Sequence, residues 1–191
     1  MELLIINVLA DGIPGLALAK EESDTRIMKR KPFDRNESFF SGGLMEVIIQ
    51  QTIIGSIVIL AGYYIGKFIQ IHDAYAPSHS IGQAMAFLIL GWTSIIRIFT
   101  VRSRSSMFRR AQKENPQLAL SAAAMFLILG CMVAIPPLAS VLGYARMSGS
   151  HWLIIAGFTL IPTLVAEYEK LWDNYKYHVA EKNRVAQQRI E

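Results

Sequence analysis

The sequence predicts an all-α fold, a polytopic membrane bundle of five transmembrane helices whose first helix is broken between Gly12 and Gly15. Composition is the first reason, because 52% of the 191 residues are hydrophobic and 18% are charged, whereas soluble domains carry about 25% charged residues. Distribution is the second, because the apolar residues form five blocks separated by charged stretches. A helix rises about 1.5 Å per residue, so roughly 20 apolar residues cross a hydrocarbon core.

The first apolar block covers residues 3–19 and contains the helix-breaking stretch Gly12-Ile13-Pro14-Gly15. The other four blocks cover residues 44–71, 81–101, 118–138 and 152–166. The last block is short unless its flanking residues extend it through the membrane interfaces. Beyond it, apolar residues recur at helical spacing, which predicts an amphipathic helix along the inner surface. We therefore divide the chain into a membrane domain, residues 1–170, and an amphipathic cytoplasmic tail, residues 171–191.

The basic residues predict the orientation. Sixteen of the 19 Lys and Arg residues lie in segments 20–41, 102–117 and 170–191, whereas the two opposite loops contain only Arg146. The positive-inside rule places the first set in the cytoplasm, Met1 outside and the C-terminus inside. The same placement explains the net charge of +4 without a nucleic-acid partner. Met1 begins no signal peptide, so the outside N-terminus leads us to expect further sequence before it.

Asn7 and Asp11 are the candidate site residues. Polar side chains inside a membrane segment are costly unless they face protein, water or an ion. The two residues are four apart, so they share a face of a helix, and the breaking stretch that follows them would free carbonyl oxygens. Hard cations such as Ca²⁺ bind six to eight oxygen ligands. The segment is therefore a plausible half of a cation site. The alternative is that Asp11 simply lies near a membrane interface and that Asn7 packs against another helix.

A family resemblance is carried by several motifs in order along the chain. The segment Asn7-Val8-Leu9-Ala10-Asp11-Gly12-Ile13-Pro14-Gly15-Leu16-Ala17-Leu18 resembles the sixth membrane helix of type II P-type cation ATPases, whose pattern is N-x-x-T/A-D-G-x-P-A-x-A-L. Asp24-Thr25-Arg26-Ile27-Met28-Lys29-Arg30-Lys31-Pro32 resembles the cytoplasmic loop that follows it. Weaker matches are Ser41-Gly42, Phe99-Thr100-Val101-Arg102-Ser103, Ile135-Pro136-Pro137-Leu138, Trp152-Leu153 and the pair Glu167 and Lys170. The chain thus resembles helices six to ten of a calcium-type pump.

The resemblance implies that Asn7 and Asp11 are the cation ligands of the sixth helix, with Ca²⁺ or another cation as the transported ion. Pumps with two calcium sites usually place a Thr where this chain has Ala10, and a Glu where it has Ser94 or, one residue away, Thr93. Each difference removes oxygen ligands or negative charge. The resemblance therefore favours a pump with a single cation site.

The pump's phosphorylation motif D-K-T-G-T does not occur in the sequence. ATP and Mg²⁺ would act only through domains outside this chain, so we expect no ATPase activity and no catalytic residues in it. Its expected partners are the lipid bilayer and either the N-terminal part of a P-type ATPase or an intact pump. The short outer loops favour a bacterial plasma membrane. A non-enzymatic scaffold or pump-associated regulator, and a truncated gene remnant, remain the alternatives.

Three further features carry weaker signals. Arg97 could extend its charged end to the membrane interface or take the place of a lost cation beside a carboxylate. Gly62 and Gly66 form a G-x-x-x-G element that permits close helix packing, which the family uses against its fifth helix. Three histidines, His72, His79 and His151, lie in or beside the outer loops; they could suggest a metal site, but we expect them to be solvated loop residues.

Overall fold

The computed structural model describes residues 2–20, 44–69, 78–102 and 116–187, with residues 44, 101–102 and 173–187 described as backbone only. Within these ranges every regular element is helical: α1 (Glu2–Ala19), α2 (Leu44–Phe68), α3 (His79–Arg102), α4 (Pro116–Ala134), the short α5 (Pro136–Val141) and α6 (Gly149–Gln187). The motifs at residues 24–32 and 41–42, His72, and the basic loops lie outside the described residues.

Five of these helices are long and apolar enough to cross a membrane: α1, α2, α3, α4 and the first 24 residues of α6. The prediction of five transmembrane helices is therefore confirmed. The fifth span is longer than its apolar block, since α6 begins at Gly149 and runs unbroken through Pro162 to Gln187. The proposed boundary at residue 170 coincides with no end of a helix, and the amphipathic tail stays a prediction.

Helix α3 is the centre of the bundle. It contacts every other spanning helix, whereas α1 packs mainly on α3 and α4, and α2 packs mainly on α3 and α6. Met85, Leu88 and Ile89 of α3 are fully buried. The ring of Trp92 stacks on Phe126 of α4 at a centroid distance of 4.1 Å, and its indole N–H donates to the Phe126 carbonyl oxygen at 3.1 Å. The core therefore forms around α3 from large apolar side chains of several helices.

Glycines bring α2 and α3 into backbone contact. A Cβ on Gly66 would lie 2.9 Å from the Cα of Gly82, and a Cβ on Gly82 would lie 2.6 Å from the Tyr63 carbonyl oxygen. A Cβ on Gly62 would lie 2.3 Å from Cδ1 of Ile89. The G-x-x-x-G element therefore acts in close helix packing, as its pattern predicts, and its partner here is α3.

The fourth apolar block divides at Ile135. Its φ of −86° and ψ of 115° are extended, because the ring of Pro136 disfavours a helical conformation in the residue before it. The loop that follows α5 contains Tyr144, which is buried beside Phe87 of α3. Burial, together with the neighbouring Glu2 carboxylate, raises the pKa of the Tyr144 phenol above its ordinary value. The loop is thus packed onto the bundle.

The N-terminus of α6 contains His151, which is 1% exposed. The Ser148 backbone N–H donates to His151 Nδ1 at 3.2 Å, and the Ser150 N–H donates to Ser148 Oγ at 3.2 Å. The expectation of a solvated His151 is wrong, because the ring helps to close the turn that begins α6. His79 is exposed, as expected, and its Nδ1 lies 2.7 Å from the Tyr63 hydroxyl.

Candidate cation site on the first helix

The candidate site lies on α1, where a π-helix from Asn7 to Gly12 separates two α-helical segments, Glu2–Ile6 and Ile13–Ala19. The predicted interruption is therefore a wide helical turn at and before Gly12, and the chain stays helical through Gly15. Proline explains the π turn. Pro14 has no N–H to donate, and in a regular α-helix its ring would clash with the carbonyl of Ala10, four residues earlier. A local π turn accommodates both effects.

One stripe of α1 attaches the helix to the bundle. Ile6, Ala10 and Pro14, spaced four residues apart, are all buried, and Ala10 is 0% exposed. Ile6 packs near Gly91 of α3, where a Cβ would lie at an ordinary contact distance of 3.8 Å from Cγ1 of Ile6; the close approach at Gly91 is to Leu129 of α4, at 2.7 Å from its Cδ1. The buried stripe fixes the rotation of α1 about its own axis.

Asn7 and Asp11 each follow a residue of this stripe, so they lie beside it on the helix, and both are exposed together with Val8 and Gly12. A Cβ on Gly12 would lie 3.4 Å from the Asn7 carbonyl oxygen. The face therefore presents an amide, a carboxylate and a glycine-lined section of backbone toward space that the described helices leave open. For a membrane segment this exposure is costly, so the face is suited to a partner that supplies polar groups or an ion.

The chemistry of this face fits part of a calcium site. Asn7 and Asp11 offer one amide oxygen and two carboxylate oxygens, about half of the six to eight ligands that Ca²⁺ takes. Among the described residues no cluster of three or more His, Cys, Asp and Glu could hold a metal ion.

The positions associated with a second site are not on this face. Ala10 is buried against the bundle. Thr93, Ser94 and Arg97 line a cavity between α2, α3 and α6, and no residue of α1 contributes to that cavity's lining. The sequence singles out each of these residues but does not predict that they line one cavity, because the cavity depends on how three helices pack.

Comparison with known proteins agrees with this architecture. Residues 1–172 match the family model described as "Cation transporting ATPase, C-terminus". The chain is 30% identical over 183 residues to calcium-transporting ATPase 1 of Bacillus cereus, which covers 90% of this chain and 20% of that protein. It is 29% identical over 175 residues to a calcium-transporting ATPase of Listeria monocytogenes, covering 91% of this chain and 19% of that protein.

A calcium-transporting ATPase of Bacillus subtilis is 27% identical over 166 residues, covering 86% of this chain and 18% of that protein. The chain thus spans about a fifth of the length of the curated relatives it matches. The matched fifth contains five membrane-capable helices. On the family match and the helical membrane architecture together, this chain belongs to the family of C-terminal regions of cation-transporting ATPases.

Proposed function

We propose that this chain is the membrane-embedded transport module of a P-type calcium pump and contributes part of a single cation site through Asn7 and Asp11. The observation that supports this most strongly is the exposed polar face of α1, fixed in rotation by the buried stripe beside it. The relatives that the chain matches are named as calcium-transporting ATPases.

The module acts together with an N-terminal part that carries the ATP- and Mg²⁺-dependent domains and the remaining cation ligands. In this arrangement ATP hydrolysis changes the shape of the complete site, and the exposed face of α1 supplies about half of its oxygens. Ala10 and Ser94 contribute no ligand, which leaves one site. The basic segments orient the module with Met1 outside and the amphipathic tail, residues 171–191, in the cytoplasm, and we place it in a bacterial plasma membrane.

Functional assembly tests this proposal. The chain is co-expressed with the Bacillus cereus relative truncated before its own C-terminal membrane region, and ATP-driven uptake of radioactive calcium is measured in inverted vesicles. We expect uptake with the wild-type chain and none above background with Asp11→Asn, which keeps the side chain's size but removes its charge. Glu46→Gln, which removes an exposed carboxylate of α2, is the matched control and should leave uptake unchanged.

Two results would contradict the proposal. Uptake that is equal for wild type and Asp11→Asn would remove Asp11 from the site. Absence of uptake, together with co-purification of the chain with an intact pump whose rate it changes irrespective of Asn7 and Asp11, would favour the scaffold or regulator alternative.

A further inference from the structure

A cavity between α2, α3 and α6 lies apart from the candidate cation site. Its volume is about 220 Å³. Its polar lining includes Gln51, Thr52, Thr93, Ser94, Arg97 and Thr163. Such a concentration of polar groups among membrane-spanning helices is expensive unless a ligand or water satisfies them.

The cavity is polar at one end and apolar at the other. Gln51 is near the start of α2 and Arg97 near the end of α3, and these two antiparallel helices place both at the same end of the bundle. Ile59, Leu90 and Pro162 line the cavity closer to the middle of their helices. From Leu90 to Arg97 the helix rises about 10 Å. The lining therefore changes from charged to apolar with depth, which matches an amphiphile with a charged head group and apolar chains.

Two buried donors in the cavity have no partner. Gln51 is 6% exposed, and neither its Nε2 nor the hydroxyl of Thr93 makes a hydrogen bond within the described part of the chain. Thr52 differs, because its hydroxyl donates to the Ile48 carbonyl oxygen at 2.7 Å. Gln51 Nε2 can only donate, so the missing partner at this position is an acceptor.

Arg97 adds a positive charge to the same cavity. No carboxylate of the described residues forms an ion pair with it. Arg97 is itself exposed, so its guanidinium can meet a ligand that enters from outside the bundle. Water could accept hydrogen bonds from Gln51 and Thr93, but it carries no charge to attract the guanidinium. An anion with several acceptor oxygens would meet both needs, and a phosphate group matches the guanidinium in two parallel hydrogen bonds.

We propose that this cavity binds the phosphate group of an anionic phospholipid, with Arg97 as its charged ligand and with Gln51 and Thr93 as hydrogen-bond donors. The change from polar to apolar lining favours a lipid over free phosphate, because the first carbons of the acyl chains would follow Ile59 and Leu90 inward. Basic pockets between membrane helices on the cytoplasmic side recognise lipid head groups in this way.

The test measures lipid retention on the purified full chain. The chain is extracted from nanodiscs that contain equal amounts of phosphatidylglycerol and phosphatidylcholine, and bound lipid is counted by native mass spectrometry. We expect one retained phosphatidylglycerol on the wild type and a loss of about tenfold or more in its occupancy for Arg97→Gln, since a charge-assisted contact is removed. Arg146→Gln, at an exposed loop position, is the matched control and should retain the lipid.

Gln51→Glu gives a second, nearly isosteric variant. Its carboxylate would repel a phosphate and pair with Arg97, so it should also lose the lipid. Circular dichroism and a single peak in size-exclusion chromatography establish that each variant is folded. If either Arg97→Gln or Gln51→Glu fails this check, the other is compared with the wild type. Equal losses for Arg97→Gln and Arg146→Gln, or equal retention of the two lipids, would overturn the proposal. So would displacement of the lipid by millimolar inorganic phosphate bound at the same stoichiometry, which would assign the cavity to free phosphate.

Discussion

Asn7 and Asp11 stand at the start and near the end of one π-helical turn, and both residues are exposed beside the stripe by which α1 packs on the bundle. The turn exists because Pro14 cannot continue a regular α-helix. The rotation of the turn is set by Ile6, Ala10 and Pro14, which pack inward. The packing of these three residues therefore determines which way Asn7 and Asp11 point.

The close contact of α2 with α3 predicts that Gly66→Ala destabilises the bundle. The new Cβ would lie 2.9 Å from backbone atoms of Gly82, and backbone atoms cannot rotate away as a side chain can. We expect a loss of about 1–3 kcal/mol in the free energy of unfolding, measured by titrating the micellar protein with a denaturing detergent.

Gly55→Ala is the matched control for this variant. It lies in the same helix, and a Cβ there would meet no atom within 4 Å. Its stability should stay the same or rise by roughly 0.5–1 kcal/mol, because alanine favours a helix over glycine. Equal stabilities for the two variants would show that α2 and α3 are not in backbone contact.

The burial of Ala10 predicts that a threonine there destabilises the chain. Ala10 is 0% exposed, so the additional hydroxyl and methyl groups of Ala10→Thr must displace packed neighbours, at a cost of about 1–3 kcal/mol. Ala123→Thr places the same side chain at an exposed position of α4 and should cost less. Thermal unfolding followed by circular dichroism compares them, and a smaller loss for Ala10→Thr would mean that α1 presents a different face to the bundle.

The ion pair between Lys170 and Glu167 predicts a non-additive pair of substitutions. Glu167 is 6% exposed, and Lys170 Nζ lies 2.9 Å from its carboxylate while also donating to the Thr100 carbonyl oxygen. Lys170→Met removes the positive charge from beside a buried carboxylate and should cost about 1–3 kcal/mol.

Adding Glu167→Gln to Lys170→Met should recover part of that loss, because the buried negative charge is then removed as well. A double-mutant cycle on the free energies of unfolding measures the interaction. Strict additivity of the two substitutions would contradict a coupled pair at the end of the fifth span.

The number of spans was predictable from sequence because crossing a membrane depends on the length and composition of a local segment. The proline effects were partly predictable. The division at Ile135 follows from Pro136, whereas Pro14 could equally have produced an unwound turn. The sequence does not distinguish these two outcomes, because the missing N–H and the ring of Pro14 disfavour a regular α-helix in both.

Burial was the least predictable property. His151 lies beside a polar loop in the sequence, yet it is buried because the loop packs onto the bundle. The exposure of Asn7 and Asp11 follows from the burial of Ile6, Ala10 and Pro14 beside them, but in an apolar helix these three residues are not distinguished from their neighbours by residue type. The cavity that contains Arg97 required three helices to be placed together.

Equilibrium calcium binding tests the central claim most directly, namely that this chain holds only part of a cation site. Radioactive calcium is titrated onto the chain alone and onto the chain assembled with the truncated Bacillus cereus relative. We predict no saturable binding to the chain alone below about 100 μM, because it supplies too few oxygen ligands. The assembled pair should bind one Ca²⁺, and Asp11→Asn should abolish that binding. Saturable binding to the chain alone, or undiminished binding with Asp11→Asn, would contradict the account.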